Sequence, residues 1–341
     1  MRSIFNEGKK FLPFGFLALL SAMPFRSSSF QLHSVKKIAL AFFFFAALQV
    51  RAQDGSTDNG DDQPKLKSIK GFHLGMYMGS YFAGKYSAYT YDGYGFDRDG
   101  NKNNFYNSVL YRRIVYDYGG GNNQPDRIAP AIGVAPGDWS FDSTDMPAKM
   151  RYNIAFQFGL NTRYCYDDNN ALVMDLDAIK LTATGDFTIT KVNYNTSTTS
   201  GPQGPYIYQP FAIVGTEERL VFRFGYQHIS GDRNTPFRFF YEIGPDLMLA
   251  RVDRVQTNIN GLQIDLNAYY TQPLPGYSAY RPKNFTGEGF GLFGGMGLDI
   301  NTGGKWSLQF LYSPSYDLVK IGQDPKRKFQ NAVGLRMYYN L

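Results

Sequence analysis

From residue 70 onward the apolar residues recur at every second position, and a period of two dictates extended strands whose two faces differ in chemistry. In 70–82, Phe72, Leu74, Met76, Met78 and Phe82 fall on one face, and Gly71, His73, Gly75, Tyr77, Gly79 and Tyr81 fall on the other. The pattern returns in 151–164, 171–184, 218–230, 236–250, 288–301, 305–318 and 328–341, eight segments with the first. The segment 171–184 is the least regular, with Leu172, Met174 and Leu176 opposite Asp175 and Asp177. No helical period of similar regularity runs through the chain.

The connections carry as much meaning as the strands. Asp167–Asn170, Gly231–Asn234 and Thr302–Gly304 read as tight hairpin turns. They alternate with long connections at 83–149, 185–217, 251–287 and, shorter, 319–327, and both chain ends fall on the short-turn side. The apolar face is broad and aromatic, in a chain that is 17% aromatic with 29 Phe and 26 Tyr, while the other face alternates Gly, Ala, Ser and charge. Eight strands enclose a lumen that side chains fill, so the small and polar face fits inside and the Phe-rich face fits lipid. A soluble ligand-binding barrel and a two-sheet sandwich are the alternatives. The first needs the apolar face inward, and the second does not require the loop asymmetry. The expected fold is an all-β, eight-stranded antiparallel up-and-down transmembrane β-barrel over 70–341 with long external loops.

The amino terminus reads as targeting. Lys36-Lys37, the apolar run Ile38 to Leu48 and Val50-Arg51-Ala52 before Gln53 are the three parts of a secretory signal peptide, assigned to 35–52. The apolar core is shorter than the about 20 residues that span a bilayer. A second apolar run, Phe11 to Met23, precedes it, and residues 1–34 read as an over-extended start or extra leader. Residues 53–69 are polar, with almost nothing apolar, and read as a flexible periplasmic leader.

Charge excludes one class of partner. The net charge is +6, but residues 1–52 hold seven basic side chains and one acidic; removing them from 35 basic and 29 acidic residues leaves 28 of each. A neutral body is no electrostatic nucleic-acid binder. One cysteine, Cys165, excludes an intramolecular disulfide framework.

Together, the signal peptide, the eight amphipathic strands, the alternation of short turns and long loops, and the terminal strand Val333–Leu341 resemble the small outer-membrane β-barrel proteins of Gram-negative bacteria. The Ala52-Gln53 junction and the Tyr/Asn-rich loops lean toward the Bacteroidetes members. The final residue departs from the family's usual Phe, being Leu341. The resemblance implies an exported outer-membrane protein with lipid around it, and the tyrosine-rich first loop points to an envelope protein or surface glycan as partner.

Inside such a barrel charge must be paired. The inward set includes Arg151, Arg163, Asp175, Asp177, Arg223, Arg238, Glu242, Asp299 and Arg336. If Gly231–Asn234 is a four-residue loop, Arg223 lies across from Glu242, and the two are expected to form an ion pair in a polar plug. His73 and His228 fall at the turn-side ends of their strands, poorly placed for a lipid A- or peptide-cleaving site at the external rim. Gly289–Gly294 matches G-x-G-x-x-G but lies inside an alternating strand, where its glycines make room for larger neighbours. Asp97, Asp99, Asn101 and Asn103 have calcium-loop spacing without the bidentate glutamate, and read as a solvated turn. No catalytic residue, cofactor or metal site is expected. The first long loop is rich in tyrosine among small polar residues, the composition of adaptable recognition surfaces. Tyr89, Tyr91, Tyr94 and Tyr111 are the recognition candidates, and Phe105–Tyr118 is expected to extend as a hairpin. The expected role is non-enzymatic: interaction, adhesion or accessory work in an envelope complex through external loops. A barrel enzyme acting on lipid A or peptides, or a narrow pore, is the alternative. Amino-terminal sequencing of the exported protein should begin at Gln53; a start upstream of it would mean the leader is retained.

Overall fold

The computed structural model describes residues 70–95, 101–116, 124–192, 206–231, 235–267, 286–301, 305–319, 321 and 327–341. The signal peptide, the leader, Asp97, Asp99 and the Thr302–Gly304 turn lie outside the described residues. The strands are β1 (Gly71–Phe82), β2 (Trp139–Ser140), β3 (Arg151–Tyr152), β4 (Ala155–Cys165), β5 (Asn170–Val192), β6 (Tyr206–Ser230), β7 (Phe237–Ile259), β8 (Leu262–Asp265), β9 (Thr286–Asn301), β10 (Trp306–Val319) and β11 (Arg327–Asn340). Eight of them form an antiparallel ring, β1-β4-β5-β6-β7-β9-β10-β11, in which β11 returns to pair with β1 from His73↔Asn340 to Phe82↔Asn331. Each of the eight alternating segments is a strand of this up-and-down, transmembrane-type barrel. Closure removes the sheet edges, so the backbone donors and acceptors of the ring are paired within it.

The side chains divide as the alternation requires. Phe72, Met76, Met78, Phe158, Phe224, Phe239, Leu292, Phe310 and Val333 stand exposed on the outside, while Arg163, Asp175, Arg223, Glu242, Asp299 and Arg336 are buried within. One inward expectation is corrected: Arg151 is exposed. The irregular stretch between β3 and β4 shifts the alternation, so that Tyr152 turns inward while Arg151 faces out.

Three strands run further than the sequence pattern marks. β5, β6 and β7 are 23, 25 and 23 residues long, so the connections expected at 185–217 and 251–287 are in large part strand. The reason lies in a cross-strand row, Lys180↔Glu218↔Arg251. On the turn side of that row the outward residues are Leu172, Leu176, Leu220, Phe222, Leu247 and Leu249. Beyond it they include Thr182, Thr184, Asp186, Thr216 and Asp253, alongside Tyr208, Ala212 and Val214. The inward face changes in the opposite sense, from Asp175, Asp177 and Asp246 to Leu181, Phe187, Ile189, Ile213 and Val252, with Glu217 the charged exception just beyond the row. A strand that leaves hydrocarbon for water must exchange the polarity of its faces. The simple alternation therefore breaks while the strand continues. β7 then reverses into β8 at Asn260-Gly261, both with positive φ (46° and 96°), the two-residue hairpin that this dipeptide favours.

The first long connection folds over the apolar inner face of this extension. It contains α1 (Lys85–Ala88), α2 (Val109–Val115) and α3 (Gln124–Ile132). The hairpin expected over Phe105–Tyr118 is corrected to a helix: Ser108 caps α2 by accepting from the Tyr111 amide, and Leu110 and Ile114, four apart, bury one face. Tyr91, Leu110, Ile114, Ile128, Phe141, Met146 and Met150 share one core with the inner residues of β5, β6 and β7. Phe187 lies at its centre, 5.9 Å from the rings of both Phe141 and Phe211. Phe187→Ala should loosen this cap by about 3–5 kcal/mol, the usual cost of emptying an aromatic site in a packed core. Limited proteolysis in detergent micelles should then cut within 83–150 while the ring stays resistant.

Candidate functional site

The lumen holds a stacked set of ion pairs that begins at the turn side. There Asp299 takes Arg163 at 3.1 Å, Arg238 at 2.8 Å and the Gln309 amide at 2.8 Å. The Arg163 guanidinium also stacks 4.5 Å from the Tyr338 ring. Above it Arg336 forks across Glu242, at 2.7 and 2.9 Å, and reaches Asp175 at 2.5 Å. Two donations to one carboxylate fix both the position and the plane of a guanidinium. Gln227 donates to Glu242 at 3.0 Å and Asn161 to Asp175 at 2.7 Å. Asp177 takes Arg223 at 3.4 Å and Gln157 at 2.8 Å.

The expected pair Arg223–Glu242 is therefore corrected. Both residues are buried in the lumen and both are ion-paired, but with Asp177 and Arg336. The β6–β7 hairpin pairs Ser230 with Phe239, not with Thr235, which slides the register by four residues. Arg223 then faces Asp246, and Gln227 takes the place opposite Glu242.

At the external end the network meets the cap. Arg219 pairs with Glu217 and donates to Gln330 at 2.5 Å. Tyr152 donates to Glu217 at 2.8 Å, and so does the Tyr91 hydroxyl, reaching down from the cap. Burial, with the Glu217 carboxylate beside it, holds the Tyr91 phenol protonated well above its usual range. Tyr91 is thus a latch inside the molecule, which corrects its place among the recognition candidates: a ring 1% exposed presents nothing to a partner. Nearby, Asp92 pairs with Lys102; burial pushes its carboxyl up, and Lys102 and the Tyr94 amide oppose that.

The other three candidates lie at the cap surface or just beneath it. Tyr89 is 37% exposed and donates to the Ala148 carbonyl at 3.2 Å. Tyr94 is half-buried beneath the Lys102 ammonium, 4.9 Å from its ring. Tyr111 is half-buried in an aromatic cluster with Phe105 at 4.6 Å, Tyr106 at 5.5 Å and Tyr116 at 5.9 Å. Within the cap the most exposed described tyrosines are Tyr106 at 69%, Tyr86 at 58% and Tyr116 at 50%, and on β6 Tyr208 is 66% exposed. Sequence reading ranked none of these. Tyr106 and Tyr116 stand just outside the two ends of α2, each five residues from Tyr111, so no helical spacing marks them.

His73 is buried at the turn-side end of the lumen against Asn340, and His228 sits beside Asn170 and Tyr241 at the same end. Neither approaches the cap. Gly289, Gly291 and Gly294 lie within β9. A Cβ on Gly289 or Gly291 would collide with the neighbouring strands, so these glycines serve packing, as the alternation implies. Cys165 is buried against Ala171.

No family model and no curated protein sequence matches the chain. Several solved structures are similar, three of them as follows. Neisserial surface protein A (NspA) is 10% identical, with 80% of this chain and 98% of that one covered and a TM-score of 0.31. Ail, the attachment invasion locus protein of Yersinia pestis, is 10% identical over 79% and 99%, with a TM-score of 0.29. The outer membrane protein OprG from Pseudomonas aeruginosa is 10% identical over 81% and 99%, with a TM-score of 0.36. None of them lends support to a Bacteroidetes origin.

Arg336 is the hub of the network, and Arg336→Leu strands two carboxylates. Removing one side of a buried ion pair costs about 3–5 kcal/mol. Urea unfolding of the variant in micelles should show a loss of that size, and an unchanged midpoint would place the charge outside the barrel.

Proposed function

We propose that the chain is an outer-membrane β-barrel that conducts nothing and works through the external surface of its cap. The observation that carries this reading is the exchange of polarity at Lys180, Glu218 and Arg251. Below that row the ring shows hydrocarbon to its surroundings and charge to its lumen. Above it the same strands show polar residues outward and grip an apolar cap. A band of that kind suits a bilayer, since the outward residues are mainly apolar where lipid lies and include many polar ones where water begins. The cap carries Tyr86, Tyr106 and Tyr116 on its free surface, amphipathic rings that contact a protein or a glycan at little entropic cost.

A pore is disfavoured by the lumen itself, where charged residues from Asp299 up to Glu217 are buried and bound to one another. A rim enzyme is disfavoured by the place of the histidines, at the opposite end from the cap. The test has two arms. In planar bilayers the purified mature protein should give no steady conductance. A triple variant with Tyr86, Tyr106 and Tyr116 changed to Ser should fold as the parent does and lose a partner that the parent cross-links in native outer membrane. Steady conductance, or an undiminished cross-link, would sink the reading.

A further inference from the structure

Among the described residues, the charges buried inside the ring do not balance. Seven buried carboxylates (Asp175, Asp177, Glu217, Glu242, Asp246, Asp299 and Asp317) meet five buried guanidinium groups (Arg163, Arg219, Arg223, Arg238 and Arg336), so 7 − 5 leaves two negative charges over. Five of the carboxylates have an arginine. Asp246 and Asp317 have none, and these two stand together. They belong to one cross-strand row, Arg223–Asp246–Gly291–Asp317–Lys328. Gly291 between them has no side chain to hold them apart: a Cβ there would come within 3.0 Å of an oxygen of each. Both residues are at most 2% exposed, and Asp246 Oδ2 and Asp317 Oδ1 meet no donor. The remaining Asp317 oxygen accepts from Ser315 at 2.7 Å and Gln330 at 2.8 Å.

Among the described residues, the charged and titratable groups around the pair have other partners, although Arg223, which faces Asp246 across the sheet, keeps its Nε without one. Arg223 of β6 is held by Asp177, and Arg219 of the same strand by Glu217. Lys328 of β11 has its ammonium 4.1 Å over the Tyr86 ring. Glu242 of β7 is held by Arg336. From β1, Tyr81 donates to Gln330, and Tyr77 makes no hydrogen bond. Two carboxylates leaning over one point in a closed lumen cannot both carry charge without a positive equivalent between them.

We propose that Asp246 and Asp317 form a carboxyl–carboxylate pair that binds one proton between them at neutral pH, a titratable joint beneath the cap. The pair connects to the latch through hydrogen bonds: Gln330 donates to Asp317 and accepts from Arg219, which grips Glu217, the acceptor of Tyr91. The proposal needs only the closed ring and does not depend on the function proposed above. The folded barrel holds a proton that two ordinary aspartates in the unfolded chain have already released. It therefore binds more protons than the unfolded state, and stability falls as pH rises until the shared proton leaves.

The experiment uses the mature protein folded in micelles. Its infrared spectrum at neutral pH should contain the C=O band of a protonated carboxyl, absent from Asp246→Asn. The thermal midpoint of the parent should fall from neutral to alkaline pH, and both Asp246→Asn and Asp317→Asn should flatten that fall. A neutral-pH spectrum without the band would overturn the proposal, even if neither variant folds. So would a pH slope unchanged by both substitutions. A midpoint raised by calcium or sodium in the parent and not in Asp246→Asn would place a metal ion where the proton is assigned, and would overturn it too.

Discussion

A ring of eight strands closes around a lumen that side chains fill, and so a charge directed inward must find its partner inward. This constraint orders the rest of the structure. Asp299, Arg336, Asp177 and Glu217 sit at successive heights, and each is met by a residue from another strand, Glu217 by Tyr152. The network thereby ties together strands that the turns alone would not. Space is found for it by glycines on the same face. A Cβ at Gly295 would lie 2.5 Å from Glu242 Cγ, and one at Gly159 would strike the Asp177 carboxylate. The inward glycines are the complement of long charged side chains one strand away, which is why Gly and Arg or Glu share that face.

The second constraint is the surface outside. Where the outward residues are Leu220, Phe222 and Leu249, the inner face can afford charge because charge meets charge. Where they are Thr182, Thr184 and Asp186, the outer face belongs in water and the inner one must be covered. An uncovered inner sheet bearing Ile179, Leu181, Phe187 and Ile213 would be an apolar patch of the kind monomers do not leave open. Residues 83–150 supply the cover. The long connection after β1 and the three long strands are thus one solution, since neither half buries its apolar surface without the other.

Much of this is legible in the chain. Period two names all eight ring strands, because each has one lipid-like face over a dozen residues. It also assigns Arg163, Asp175, Arg223 and Arg336 to the inside. Three things escape it for physical reasons. The Arg223–Glu242 register depends on the length of the turn after Ser230, and Gly, Asp and Asn suit loops of several lengths. The upper halves of β5, β6 and β7 exchange faces at Lys180, Glu218 and Arg251, so a search for one continuous apolar face stops there and leaves Glu217 unassigned. Asp246 and Asp317, by contrast, share parity with Glu242 and Ser315, and the rule that found the other lumen charges places them inside as well. Tyr91 is a different failure: composition describes what a loop can contact, and only packing decides that this ring points down to Glu217 rather than out.

Glu217 accepts Tyr91 from the cap and Tyr152 from the wall, and it holds Arg219, which reaches Gln330 and through it Asp317. Cap, wall and lumen therefore share one polar joint at the level where the apolar band ends. A buried network of this kind rigidifies what it joins, because each member left without its partner carries a desolvation cost. The cap accordingly stands on the ring as a fixed base. The exposed rings Tyr86, Tyr106 and Tyr116 are not members of that joint. Recognition residues held on a rigid scaffold lose little freedom when they bind, so an anchored cap serves contact better than the same loop left unfastened.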